Sequence, residues 1–390
     1  MSTPVYLDHA ATTPIRPAVR EAMLPFLDGT FGNPSSAHRF GRAARAGLDG
    51  ARRAIAGALG CEPSHVVFTS GGTEADNLAV IGGALATQAA GAPLRVACPG
   101  TEHKAVLAAA HAIERHGGEA VELPVLPTGV LDLGALDAAL ARGLALVSVM
   151  WVNNEVGTLQ PILEIAGRCR AVGVRLHVDA VQAVGKVPVD LRLLAEVLVA
   201  ISGHKVGAPK GIGALIVRDR KALEALQHGG GQQFGIRPGT ENVAGAVALG
   251  AAVALAVAEQ ATFAAHAEML RRQLEAGLLA SAEGVRVVGA DAERAPHIST
   301  ITASGAANDV LLMHLDMAGI AASGGSACSS GTIAPSHVLG AMGIPEHEAL
   351  GAVRFSIGCG TTEACIARTV AQYPVALAKA RKLAGALGRG

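Results

Sequence analysis

Three places in the chain put a chemically useful side chain directly after a short apolar run. The run Val197–Ser202 ends in Ser202-Gly203-His204-Lys205 and continues into Val206-Gly207. A lysine is ordinarily a solvated surface charge. One drawn out of water beside an apolar strand has a lowered pKa and can act as an amine nucleophile. His177-Val178-Asp179-Ala180-Val181-Gln182 places a carboxylate at the end of a second run. An aspartate there either caps the following helix or pairs with a buried cation. Val66-Val67-Phe68-Thr69-Ser70-Gly71-Gly72-Thr73-Glu74 passes from a third run through a glycine pair to a helix start. Free N–H groups and the positive dipole end at such a start suit a phosphate, and glycines allow close backbone approach. A glycine pair before a helix also serves simply as a tight turn. The segment lacks the Lys-Ser/Thr of a Walker loop and the spacing of a GxGxxG fingerprint.

A frame must bring these segments together. Six short runs rich in Val, Leu and Ile read as buried strands: His65–Thr69, Leu94–Cys98, Leu144–Val152, Val174–Val178, Val197–Ser202 and Gly213–Val217. Helix-like segments lie among them at Thr73–Ala90, His103–His116, Leu133–Leu140 and Ile162–Val172. The alternation predicts an α/β fold, with a mostly parallel sheet flanked by helices on both faces. Ligands of open α/β sheets bind at the carboxyl ends of the strands. At that edge a reactive lysine, an aspartate facing a pyridine nitrogen and a phosphate cradle make up the three parts of a pyridoxal phosphate site. After about Gly239 the pattern changes. Val243–Ala282 is helical in composition, Val285–Val288 and Ile298–Thr302 read as strands, and Ser323–Gly331 is rich in glycine and serine. The expected division is a large domain over residues 16–260 and a smaller α+β domain made of residues 1–15 with 261–390.

Composition narrows the function. The 390 residues are 50% apolar and 16% charged, with Lys+Arg 32 against Asp+Glu 32. Zero net charge removes the electrostatic argument for direct nucleic-acid binding or an anionic membrane surface. Six cysteines without a CxxC pair suit neither a disulfide scaffold nor a zinc site, so no metal is expected. The start MSTPVYLDHAATTP does not read as a secretion signal, and reduced thiols fit a cytoplasmic location. The longest uncharged apolar run, Val243 to Ala258, is shorter than the roughly 20 residues of a membrane span. It reads as a buried helix.

The motifs around these residues resemble the cysteine desulfurases, pyridoxal phosphate enzymes of the class V aminotransferase group. The match lies in FTSGGTEADN around Thr73, HVDAVQAVGKVPVD around Asp179 and SGHKVGAPKGIGAL around Lys205. YLDHAATTP, FGNPSS, TEHKAV, VNNEVG, GGGQQFGIRPGTEN, SGGSACSSG and VRFSIG resemble the same family, so the likeness runs from Tyr6 to Gly358. SGGSACSSG is similar to the longer-loop subgroup that serves iron–sulfur cluster assembly and tRNA thiolation. The fold the resemblance implies is pyridoxal phosphate transferase fold type I.

The resemblance implies roles for particular positions. Lys205 would hold the cofactor through its amine and later move the Cα proton. Asp179 would keep the pyridine nitrogen protonated. Gln182, helped by Asn154, would hydrogen-bond the ring oxygen, and His103 would stack on the ring. Gly72, Thr73, Ser202 and His204 would hold the phosphate. Thr240 would reach the phosphate of a partner subunit, which implies a homodimer. Arg354 would grip the substrate carboxylate with both arms of its guanidinium, assisted by Asn154 and Asn33. Cys328 sits among small residues in Ser323–Gly331. Its composition alone leaves it either reactive or inert; the resemblance makes its thiolate the nucleophile that takes sulfur from L-cysteine as a persulfide, leaving L-alanine. The acceptor would be an iron–sulfur scaffold or a tRNA thiolation enzyme. Cys359 is expected to be structural. The stretch after Lys382 is shorter than the tail some relatives use to dock a scaffold protein, which argues against that docking mode. A selenocysteine lyase or another aminotransferase of the class is the alternative within the enzymes, and a non-catalytic sulfur carrier the alternative outside them.

Overall fold

The computed structural model describes residues 3–194, 196–324 and 335–386. Seven runs pair into the main sheet. Given with the short strands elsewhere, the strands in chain order are β1 Val5–Tyr6, β2 Val66–Thr69, β3 Arg95–Pro99, β4 Glu119–Leu123, β5 Leu146–Met150, β6 Arg175–Asp179, β7 Leu198–Ser202, β8 Gly213–Ile216, β9 Val285–Val287, β10 Ile298–Ala303, β11 Ile320–Ala321 and β12 Val353–Ser356. The main sheet has the order β2-β8-β7-β6-β5-β3-β4. The pairs from β7 through to β4 are parallel, and β8 alone runs against its neighbours β7 and β2. The six expected strands are therefore present. β4 joins them at one edge; its sequence, Glu119-Ala120-Val121-Glu122-Leu123, carries two charges and does not read as a buried run.

Alternation along the strands feeds two apolar layers. Phe68, Val147, Val149, Val178 and Val199 pack on one face with Leu48, Ile55, Leu249 and Val253 of the helices Arg39–Leu59 and Val243–Ala258. Val67, Val96, Leu146, Leu198 and Leu215 pack on the other with Leu78, Val80, Val106 and Ile113. Two of the helices that cover the sheet are capped by their own side chains. The Asp132 carboxylate accepts from the Gly134 amide at 2.8 Å, and the Asn242 side chain from the Gly245 amide at 2.9 Å. The helix Arg39–Leu59 stops at Gly60, whose φ of 76° is the left-handed C-cap that glycine takes without cost.

A separate core forms around the sheet β12-β10-β9, where Leu270, Leu274, Ile301, Leu311, Phe355 and Tyr373 pack together. β1 pairs in parallel with β11 and delivers the N-terminal segment to this second core. The helical stretch expected over Val243–Ala282 is two helices, Val243–Ala258 and Gln260–Ser281, bent by 68°. Among the described residues no single helix is long and apolar enough to cross a membrane.

Candidate active site

Because β2, β3, β5, β6 and β7 run the same way, their carboxyl ends share one edge. That edge carries Gly72, His103, Asn154, Asp179 and Lys205 within a few residues of the strands. A cavity of ≈ 500 Å³ opens there. Its wall includes Gly72, Thr73, His103, Asn154, Asp179, Gln182, Ser202, His204, Lys205 and Arg354. Ten residues chosen from separate sequence segments thus line one space.

Lys205 Nζ donates to the carbonyls of Ala10 and of Ala11, the latter at 2.8 Å. Burial, reinforced by Arg354, pushes its amine down to about 8, against the opposing charges of Asp179 and Asp8. An amine in that range is partly unprotonated near neutrality and so nucleophilic. Burial raises Asp179 to about 6, although the Val181 amide, donating to Oδ1 at 2.9 Å, and Lys205 both favour its charged form. A cation placed against Asp179 would restore the carboxylate fully. His103 caps the helix Lys104–Ala112: its Nδ1 accepts from the Ala105 amide at 3.1 Å, which leaves Nε2 as the protonated nitrogen of a neutral ring. Burial, then Lys205, then His337 hold that ring below the ordinary histidine range.

The glycine cradle is a matter of space. A Cβ on Gly72 would stand 2.9 Å from Val181 Cγ2 and 3.4 Å from Ser202 Cβ. Beside it, Ser202 Oγ is buried with no hydrogen-bond partner among the described residues. The helix that begins at Gly72 has no side-chain cap, so its first amides remain available. His204 Nδ1 lies 3.2 Å from Thr12 Oγ1, and burial holds its ring down to about 4. A donor-rich cradle, a buried acid and a lysine whose amine is easily deprotonated in one cavity fit pyridoxal phosphate. Gln182 is tied by its Nε2 to the Ala10 carbonyl at 2.8 Å.

Arg354 enters from β12 in the second core and is 4% exposed. Nη2 donates to Asp8 Oδ1 at 2.8 Å and Nη1 to the Asn154 carbonyl at 2.9 Å, while Nε has no partner among the described residues. Its backbone exchanges hydrogen bonds with Ser323. Cys328 lies outside the described residues. The structure does not bring Asn33 or Thr240 to this cavity. Asn33 is exposed, its side chain closing a turn by accepting from the Ser35 amide at 2.9 Å, and Thr240 is exposed as well. Cys359, expected to be structural, is exposed and borders a neighbouring cavity with Lys186 on the other side of Lys205.

Sequence reasoning passed over four groups at the site. Asp8, Asp76, Glu155 and His337 all line the cavity. Asp8 falls inside YLDHAATTP and His337 shortly after the Cys328 segment, and that placement is the signal by which they could have been found.

The family model described as "Aminotransferase class-V" matches residues 5–368. Cysteine desulfurase IscS of Edwardsiella ictaluri is 44% identical over 368 residues, which are 93% of this chain and 90% of that protein. Cysteine desulfurase IscS of Dictyoglomus turgidum is 41% identical over 363 residues, 93% of this chain and 92% of that one. Among solved structures, a NifS-like protein superimposes with a TM-score of 0.87 at 32% identity, covering 98% of this chain and all 100% of the other. DndA from Streptomyces lividans does so with a TM-score of 0.74 at 37% identity, over 90% of this chain and 99% of its own. The chain belongs to the class-V aminotransferases and, among them, to the pyridoxal-phosphate-dependent cysteine desulfurases.

Proposed function

We propose that the protein converts L-cysteine to L-alanine and passes the sulfur on as a persulfide of Cys328. The observation that carries this reading is the convergence of Lys205, Asp179, His103 and Arg354, from two different cores, on one cavity. When bound, pyridoxal phosphate supplies an electrophilic aldehyde and a ring that accepts electrons. Lys205 would hold it through its amine, and the same amine would carry the substrate's Cα proton. Asp179 holds the pyridine nitrogen protonated. His103 would pack on the ring as a neutral imidazole, and Gln182 and Asn154 would hydrogen-bond its oxygen. Gly72, Thr73, Ser202 and His204 hold the phosphate. Arg354 and Asn154 receive the substrate carboxylate.

The Cys328 thiolate attacks the substrate sulfur; the new S–S bond forms as the Cβ–S bond breaks, the electron pair of that bond stays with the carbon fragment, and proton uptake there completes the alanine that leaves. Thr240, exposed and away from its own chain's cavity, suits a reach into a partner subunit's site, so we infer a homodimer. The sulfur acceptor is a thiol protein, of the iron–sulfur scaffold or tRNA thiolation class, and the setting is the reducing cytoplasm. The 68° bend at Glu259 supports a division near residue 260, with the N-terminal residues joining the smaller unit.

Replacing Cys328 by serine tests the reading. The variant is expected to keep the absorbance of the bound cofactor and to lose sulfide release from cysteine. Sulfide release at the unaltered rate would refute the thiol nucleophile and favour another reaction of the same family.

A further inference from the structure

Next to Asp179 lies a line of buried polar side chains that the mechanism does not use. Ser148 on β5 and His177 on β6 are cross-strand partners, with Ser148 Oγ 2.8 Å from His177 Nδ1. On the other side of the ring, His177 Nε2 is 3.5 Å from Asp76 Oδ1. Asp76 is 1% exposed and His177 0%. Neither of the two facing atoms has a hydrogen-bond partner among the described residues. His177 and Asp179 stand two apart on β6 and share a face. Asp76 borders the same cavity as Asp179.

The charge balance around Asp76 decides its state. The titratable groups that face it are His177 and Asp179 from β6 and Glu102 from the segment before the helix Lys104–Ala112. None of them supplies a positive charge: burial holds His177 neutral, down to about 3, and the other two are acids. Burial first, then Asp179 and Glu102, push the Asp76 carboxyl well above its usual range. Asp179, in contrast, has the Val181 amide and Lys205 to favour its charge. A buried carboxyl that faces two other acids and no cation takes up a proton. The small movement that closes 3.5 Å to a hydrogen bond would then satisfy every atom in the line. Asp76 O–H donates to His177 Nε2, and His177 Nδ1–H donates to Ser148 Oγ.

We propose that Asp76 is a neutral carboxylic acid hydrogen-bonded to a neutral His177, and that the Asp76–His177–Ser148 array is a positioning device that confines the negative charge of the two aspartates to Asp179. Two like charges in one low-dielectric space compete for a single ionisation. By holding the proton, Asp76 leaves Asp179 as the carboxylate that meets the ring nitrogen. The array rests on the cofactor site proposed above.

Infrared spectroscopy of the cofactor-free full chain tests the proton directly. At neutral pH a carbonyl stretch of protonated carboxyl is expected, part of which disappears in Asp76→Asn and a separate part in Glu102→Gln. A spectrum indifferent to Asp76→Asn overturns the proposal. Ser148→Ala gives a second reading: losing the hydroxyl that pairs with His177 Nδ1 shifts the Asp76 band, and an unmoved band counts against the array. Reloaded with pyridoxal phosphate, Asp76→Asn keeps the shape and neutrality of the acid. Its cofactor dissociation constant is expected to stay within about threefold of the unsubstituted protein, and weakening beyond about tenfold contradicts a neutral Asp76. A failure of the cofactor reading looks different: the unsubstituted protein would not bind pyridoxal phosphate while the infrared bands behaved as expected.

Discussion

Arg354 and Asp8 form an ion pair of 2.8 Å across the cavity mouth, joining β12 of the second core to the segment that follows β1. With Nη1 held by the Asn154 carbonyl, the guanidinium is fixed in plane before any substrate arrives. A carboxylate meets a fork already oriented, which lowers the cost of ordering it.

Arg354→Lys keeps the charge and loses the fork. A charged hydrogen bond contributes about 1.5–3 kcal/mol, so the KM for cysteine should rise by about tenfold to a hundredfold. The absorbance of bound pyridoxal phosphate should be unchanged. Steady-state kinetics beside a cofactor titration measures both.

Lys205 titrates at about 8 in the folded protein against an ordinary 10.5, with burial as the main cause and Arg354 next. The rate at which cofactor-free protein takes up pyridoxal phosphate should therefore rise with pH and level off just above 8, as stopped-flow absorbance would record. The stability consequence has a definite sign. Between about 8 and 10.5 the unfolded chain holds a proton on this lysine that the folded chain lacks, so this residue's contribution to stability increases across that window as pH rises. Lys205→Met should flatten that part of the curve of melting temperature against pH. The same slope in both proteins would contradict a depressed amine.

Gly72 is the residue whose bare backbone the proposed phosphate cradle requires. In Gly72→Ala the new methyl meets Val181 and Ser202 at 2.9 and 3.4 Å, and the cradle must widen or tilt. Cofactor affinity should fall by about tenfold, equivalent to the ~1.4 kcal/mol of a modest overpacking strain. Equilibrium dialysis with pyridoxal phosphate checks the figure.

The site was legible in the sequence wherever its side chains closed an apolar run. Asp179 ends β6, and Lys205 and Gly72 each lie three residues beyond the last residue of β7 and β2, so the rule that ligands sit at strand carboxyl ends was enough to group them. Asp76 and Glu102 were not legible, because an acid near a helix start reads as an ordinary dipole partner; only the packing reveals that both are buried. β4 escaped because a sheet edge tolerates charges that an interior strand excludes. β1 and β11, two residues each, are too short for any periodicity, although they are what carries Asp8 to Arg354. The antiparallel course of β8 depends on the turn through Gly211, which tells little about direction from composition alone.

The second core carries its own test. Glu275 accepts from Arg294 Nη1 at 2.8 Å, from Arg271 Nη1 at 3.1 Å and from Ser299 Oγ at 2.7 Å. Both arginine side chains are less than 10% exposed. Glu275→Ala leaves two nearly buried cations without their shared carboxylate and should cost about 3–5 kcal/mol in urea unfolding. Burial opposes the Glu275 charge but Arg294 and Ser299 outweigh it, holding the carboxyl below its usual range. The difference between the two proteins should therefore be complete above the ordinary glutamate range and shrink as pH falls through the depressed value.

Mass spectrometry of the protein after brief incubation with L-cysteine addresses the sulfur transfer itself. The expected result is one added sulfur atom, lost on reduction and located on the peptide that contains Cys328. Sulfur found on another cysteine, or alanine formed with no sulfur on the protein, would contradict the account.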